Sequence, residues 1–231
     1  MSKLFSALIA LSVGGIFPVA LFLYCLVKKR YVKAFLLGCL TFIIFQLMLR
    51  MPLLQLLSKN SIGFNLFQSL HPFLYMLFLA ITAGIFEEVG RYLIMKYCLK
   101  KNDSFQTAVF FGLGHGGIEA FLFLGINAMI YFFTTSPDSL NSDFLWGSLE
   151  RIIAMILHVE LSIIVMKGVK EKNIKYLWLA IILHGMVDSM ITIVQFFGEQ
   201  SLLLTESLFG ISVLCLGFYS MKLKKEWSVT K

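Results

Sequence analysis

The chain is short of charge. Of its 231 residues only 14% are Asp, Glu, Lys or Arg, against about 25% in soluble globular domains. It is equally short of punctuation, with four prolines and no internal repeat, low-complexity tract or long linker. Its four cysteines, Cys25, Cys39, Cys98 and Cys215, form no CxxC pair. These absences exclude a soluble enzyme, a disordered chain, a secreted disulfide scaffold and a cysteine-bound metal knuckle. The cysteines fall in or beside apolar segments and read as packing residues. The longest polar stretch, about 135–143, is too short for a soluble domain. What is present is apolar: 58% of the chain is hydrophobic. A membrane-spanning helix needs roughly 20 such residues, so the fold class is an all-α polytopic membrane bundle.

Apolar runs between charged or Gly/Pro-rich breaks predict seven spans, at roughly 4–27, 34–57, 70–96, 105–134, 144–166, 174–197 and 201–221. The whole chain, 1–231, reads as one transmembrane domain with a core over about 80–195 and three peripheral helices. The first run is as long as a full span and has no small-residue cleavage site, which predicts a retained helix. Alternate connections hold Lys28, Lys29, Arg30 and Lys33; then Lys96, Lys100 and Lys101; then Lys167, Lys170, Lys172 and Lys175. The tail adds Lys222, Lys224, Lys225 and Lys231, so fifteen of the twenty basic residues share one side. The other side holds Lys3, Lys59 and the acidic stretch from Asp138 to Asp143. The positive-inside rule then predicts an external N-terminus and a cytoplasmic C-terminus. The net charge of +7 is explained by this membrane-surface clustering, and no nucleic-acid partner is expected.

Against this background the ionisable residues inside the spans stand out, since each costs about 2.5–3.5 kcal/mol at a helix centre on insertion scales. Span 3 carries Glu87, Glu88 and Arg91; span 4 His115 and Glu119; span 5 His158 and Glu160; span 6 His184 and Asp188. At about 1.5 Å of rise per residue, Glu87, His115, His158 and His184 all lie roughly 13–15 Å from the lysine-rich boundary. Four helices therefore contribute to one layer. His115 and Glu119, His184 and Asp188, and Glu87 and Arg91 are each i,i+4 pairs sharing a helix face. Neutral imidazoles and carboxylates meeting in a dry bundle suit a divalent metal, most naturally zinc, with one position left for water. A nearby carboxylate then takes the water's proton. Glu160, about 200° around its helix from His158, reads as a separate structural polar group. Gly112 and Gly116 read as a close helix-packing pair. Arg50, Glu150 and Arg151 read as snorkelling residues near the outer ends.

Glu87-Glu88-x-x-Arg91, Phe111-x-x-x-His115 and His184-x-x-x-Asp188 resemble the three motifs of one superfamily. It comprises the type II CAAX prenyl endopeptidases, bacteriocin-processing and immunity proteins, and PrsW-type proteases, and the layout looks closest to the YhfC-type intramembrane metalloproteases. The resemblance covers spans 3 to 6; the CAAX proteases have one more residue between the glutamates and the arginine. It implies a metal-dependent peptidase in a bacterial plasma membrane. Glu87 or Glu88 would activate water, and His115, His184 and Asp188 would hold the metal or water. Arg91 would fix the glutamates or stabilise the attacked carbonyl. His158 and Glu119 lie outside the three motifs; their depth and facing make them a further ligand and a supporting group. The expected function is cleavage of a membrane-embedded or membrane-anchored peptide in the cytoplasmic half of the bilayer, among membrane lipids. A proton- or ion-coupled transporter and a catalytically silent scaffold or immunity protein are the competing readings.

Overall fold

The computed structural model describes residues 3–99, 102–133, 144–197 and 202–229, and among them every regular element is helical. The helices are α1 (Lys3–Lys28) and α2 (Val32–Asn60), the short α3 (Ile62–Leu70), then α4 (Pro72–Cys98), α5 (Phe105–Phe133) and α6 (Phe144–Glu171). They are followed by α7 (Lys175–Phe197) and α8 (Leu202–Val229). All but α3 are long and apolar enough to cross a membrane, seven in total. The acidic stretch at 138–143 lies outside the described residues.

The seven long helices begin and end close to the sequence-derived limits, because apolar runs of this length have no other stable solution in lipid. Two differences are informative. α3 falls where only a connection was expected. Ser61 starts it by accepting a hydrogen bond from the Phe64 N–H at 3.1 Å, and Phe64 and Phe67 pack edge-on against Tyr75 and Phe78 of α4. Nine residues are too few for a membrane helix to be read from periodicity. α8, expected to stop near 221, continues through the lysines to Val229. There the Trp227 Nε1–H donates to the Asp103 carbonyl at 3.1 Å, while Lys167, buried beside the Trp227 ring, pairs with Glu171 at 2.8 Å. The lysine-rich ends of α6 and α8 and the connection that leads into α5 are thus drawn together.

α6 is the centre of the bundle: 72% of its most apolar window is buried, against 28–50% for the other spans. It packs on α5, α7 and α8; α5 also packs on α2, and α4 on α7 and α6. The two faces of α5 are opened by glycine. A Cβ on Gly112 would lie 2.4 Å from the Cα of Val159 in α6, and one on Gly114 would lie 2.1 Å from the Phe35 carbonyl oxygen in α2. Backbones this close leave His115, next along the chain, clamped between two helices. α2 makes a widened turn over Phe42–Arg50, closed by i→i+5 hydrogen bonds, a feature common beside functional sites.

The structure corrects two of the surface assignments, Arg50 and Arg151, while Glu150 keeps a partly exposed side chain. Arg50 is buried, its Nη2 donating to the Leu79 carbonyl at 2.6 Å and its Nε to Thr82 Oγ1 at 3.2 Å. Arg151 turns inward, its Nη1 donating to Glu119 Oε1 at 2.6 Å, and its other arm holds Glu150. A guanidinium with five donors is better satisfied by these partners than by stretching to a distant interface. Among the cysteines, Cys25 is buried and Cys39 partly so, but Cys98 and Cys215 lie on the surface.

Candidate metal centre

The intramembrane residues converge. His115 Nε2 lies 3.0 Å from Glu87 Oε2, joining α5 to α4. His158 Nε2 lies 2.7 Å from Glu119 Oε2, joining α6 to α5. His184 Nδ1 lies 2.8 Å from Glu88 Oε1, joining α7 to α4. The imidazole rings form a row: centroids of His115 and His158 are 4.6 Å apart, and those of His158 and His184 5.6 Å apart. Phe42, at the start of the widened turn in α2, stands edge-on to His115 at 5.4 Å. The common depth inferred from the sequence is therefore a real juxtaposition.

Arg91 is the hinge pin of the cluster. Its Nη1 donates to Glu88 Oε2 and its Nη2 to His158 Nδ1, at 2.9 and 3.1 Å. A guanidinium can only donate, so Nδ1 of His158 accepts, and in the neutral ring it is then Nε2–H that donates to Glu119. Glu88, fully buried, has both oxygens engaged, one by Arg91 and one by His184. The i,i+4 reading paired Arg91 with Glu87; the structure pairs it with Glu88 at i,i+3. The two glutamates point to opposite tasks: Glu88 ties α4 to α7, while Glu87 faces His115. Asp188 stays uncommitted, with Oδ2 3.6 Å from His184 Nε2, beyond hydrogen-bond range. Glu160, set aside on angular grounds, is indeed away from the cluster: it faces α8, with Oε1 3.0 Å from where a Cβ on Gly217 would sit.

The donor set fits a divalent cation. One ligand atom each from Glu87, His115 and His158 lies within 4.8 Å of the others, and all three residues are buried. Nδ1 of His115 is buried without a partner, although an unsatisfied imidazole nitrogen in a dry interior is costly. Four carboxylates (Glu87, Glu88, Glu119 and Asp188) also share the layer with only two directly bonded arginines, Arg91 and Arg151. His184 and Asp188 lie beside this group rather than within it. Sequence reasoning missed Arg151, which holds Glu119 in place; its spacing from His158, two helical turns on the same helix, was the available signal.

The chain matches known proteins along most of its length. The family model described as "YhfC intramembrane metalloprotease" matches residues 15–142 and 139–208. The "Uncharacterized membrane protein YhfC" of Bacillus subtilis (strain 168) is 28% identical, over 77% of this chain and 79% of that protein. No solved structure matches.

Proposed function

From the premise that the chain belongs to the YhfC intramembrane metalloprotease family, a multi-pass membrane protein by its seven apolar helices, we propose that it is a metal-dependent endopeptidase acting within the bilayer. The single observation that carries this reading is the convergence of Glu87, His115 and His158 from three helices within 4.8 Å.

His115 and His158 would hold a divalent ion, zinc by its taste for imidazole and carboxylate, with His184 and Asp188 at its edge. Such an ion supplies Lewis acidity: it lowers the pKa of water to about 7 and polarises the scissile carbonyl. Everything else falls to the chain. Glu87 takes the proton of the attacking water, since its partner His115 keeps the carboxylate aimed into the cluster. Glu88 is too fully occupied for that role and instead fixes the His184 tautomer, so that Nε2 faces Asp188. Arg91 donates to His158 Nδ1, which places its guanidinium beside the cluster, where it would stabilise charge growing on the attacked carbonyl. The positive-inside rule sets the lysine-rich end in the cytoplasm.

The experiment is metal content by mass spectrometry on detergent-purified protein, with hydrolysis of a membrane peptide library measured beside it. Wild type should carry about one zinc per chain. His115→Ala and His158→Ala should lose both metal and hydrolysis, and Glu87→Gln hydrolysis alone. Metal-free, fully active wild type would overturn the metal reading, and full hydrolysis by Glu87→Gln would overturn the role of Glu87.

A further inference from the structure

The polar layer is not symmetrical across the membrane. On each of its four helices, side-chain exposure rises in one direction. On α5 it goes from 0% at His115 to 17% at Glu119, and on α7 from 5% at His184 to 28% at Asp188. On α6 it goes from 5% at His158 through 16% at Arg151 to 42% at Glu150. On α4 it goes from 0% at Arg91 and Glu88 to 6% at Glu87. Every one of these steps leads away from the lysine-rich end of its helix.

One turn the other way, the helices are closed. Met95 follows Arg91, Phe111 precedes His115, Leu161 follows His158 and Ala180 precedes His184, and all four are 0% exposed within the apolar core. That plug is apolar and fully buried. On the open side, by contrast, hydrogen-bonded groups run without a break from His158 through Glu119 and Arg151 to Glu150. Polar groups bonded to one another and graded in exposure suit a water-facing surface better than a lipid-facing one, which would leave their remaining donors and acceptors unsatisfied.

We propose that the metal centre is reached from the end of the bundle opposite the lysine-rich connections, through a mouth bordered by Asp188 on α7 and by Glu119 and Arg151 on α5 and α6. The layer lies about 13–15 Å from the lysine-rich boundary, near the middle of a core about 30 Å thick. Depth therefore does not assign the site to either half of the bilayer; the direction of opening does. With the lysines in the cytoplasm, water and substrate arrive from the outer side. The substrate class becomes membrane-associated peptides whose scissile bond is presented from outside, and not the cytoplasmic half expected from the sequence. This consequence for substrate rests on the peptidase reading; the sidedness of the opening does not.

The test is cysteine accessibility with a membrane-impermeant methanethiosulfonate, applied to intact cells and to inside-out vesicles. Cys25, Cys39, Cys98 and Cys215 are first replaced by serine or alanine. Restored Cys98, exposed beside Lys96, marks the lysine-rich side, and Asn60→Cys, at the exposed far end of α2, marks the other. Glu119→Cys and Asp188→Cys should be modified only in the preparation that modifies Asn60→Cys, at least tenfold faster than in the other. Phe111→Cys and Ala180→Cys should resist in both. Should the acidic variants fail to insert, Thr192→Cys, one turn beyond Asp188 with the cluster intact, should show the same sidedness. Modification only in company with Cys98, or in neither preparation, would overturn the proposal. Labelling needs neither metal nor activity, whereas metal content tests the peptidase reading, so the two fail separately.

Discussion

Removing the Arg151 guanidinium exposes how the cluster is held. Arg151 and Glu119 are 2.6 Å apart and each only about one-sixth exposed, so each is the other's main compensation. Arg151→Gln leaves the Glu119 carboxylate facing only the His158 Nε2–H at 2.7 Å. Breaking a buried pair on one side costs about 3–5 kcal/mol; the partial exposure brings the expected loss to the lower end, about 3 kcal/mol. Glu119→Gln should cost less, about 1–2 kcal/mol, because Arg151 keeps Glu150 and the amide oxygen still accepts from Arg151. The double variant Glu119→Gln/Arg151→Gln removes the buried Glu119 charge and leaves only the more exposed Glu150 without its guanidinium, as Arg151→Gln already does. It should therefore be more stable than the sum of the singles by about 1–3 kcal/mol, as expected for groups in one network. The assay is reversible unfolding in mixed micelles by a denaturing detergent, with zinc affinity measured by chelator competition in the same samples. His158 loses the Glu119 carboxylate in both variants that carry Glu119→Gln, and in Arg151→Gln that carboxylate loses the guanidinium that holds it, so zinc affinity should fall by about 10- to 100-fold throughout. Additivity to within about 0.5 kcal/mol, or unchanged zinc affinity in Arg151→Gln, would refute the linkage from Arg151 through Glu119 to His158.

Other outcomes follow from the same geometry. Saturating zinc, at about 100 times its dissociation constant, should stabilise wild type by about 2.7 kcal/mol; a thermal-shift series should show this effect vanish in His115→Ala. Gly112→Ala should fail to yield folded protein, because its methyl would meet the Val159 backbone at 2.4 Å. Gly63→Ala, whose methyl meets nothing nearer than 3.9 Å, should leave yield and size-exclusion profile unchanged. Arg91→Met should destabilise by about 3–5 kcal/mol, since it strands the buried carboxylate of Glu88. Arg50→Met should cost about 1–2 kcal/mol in the same unfolding assay, because it removes hydrogen bonds to Leu79 and Thr82 without stranding an acid.

The sequence by itself determined a good deal. Seven apolar runs required seven long helices, since in lipid each backbone N–H and C=O must be satisfied within its own segment. The rise per residue along straight helices set Glu87, His115, His158 and His184 at one depth, because axial position follows from residue count alone. Family membership was likewise legible, in motifs carried by α4, α5 and α7. What periodicity cannot supply is rotation between helices and the reach of long side chains. Only packing decided that Arg91 bonds Glu88 and His158 instead of Glu87. Only packing turned Arg50 and Arg151 inward, where hydrogen-bond partners outweighed any pull toward the interface. The direction in which the layer opens was also invisible in the chain. Met95, Phe111, Leu161 and Ala180 are ordinary apolar residues in sequence, and only the approach of four helices makes them a plug. Composition and spacing fix where a polar group stands along the membrane normal; which neighbour satisfies it, and which side water comes from, are settled by contacts between segments far apart in the chain.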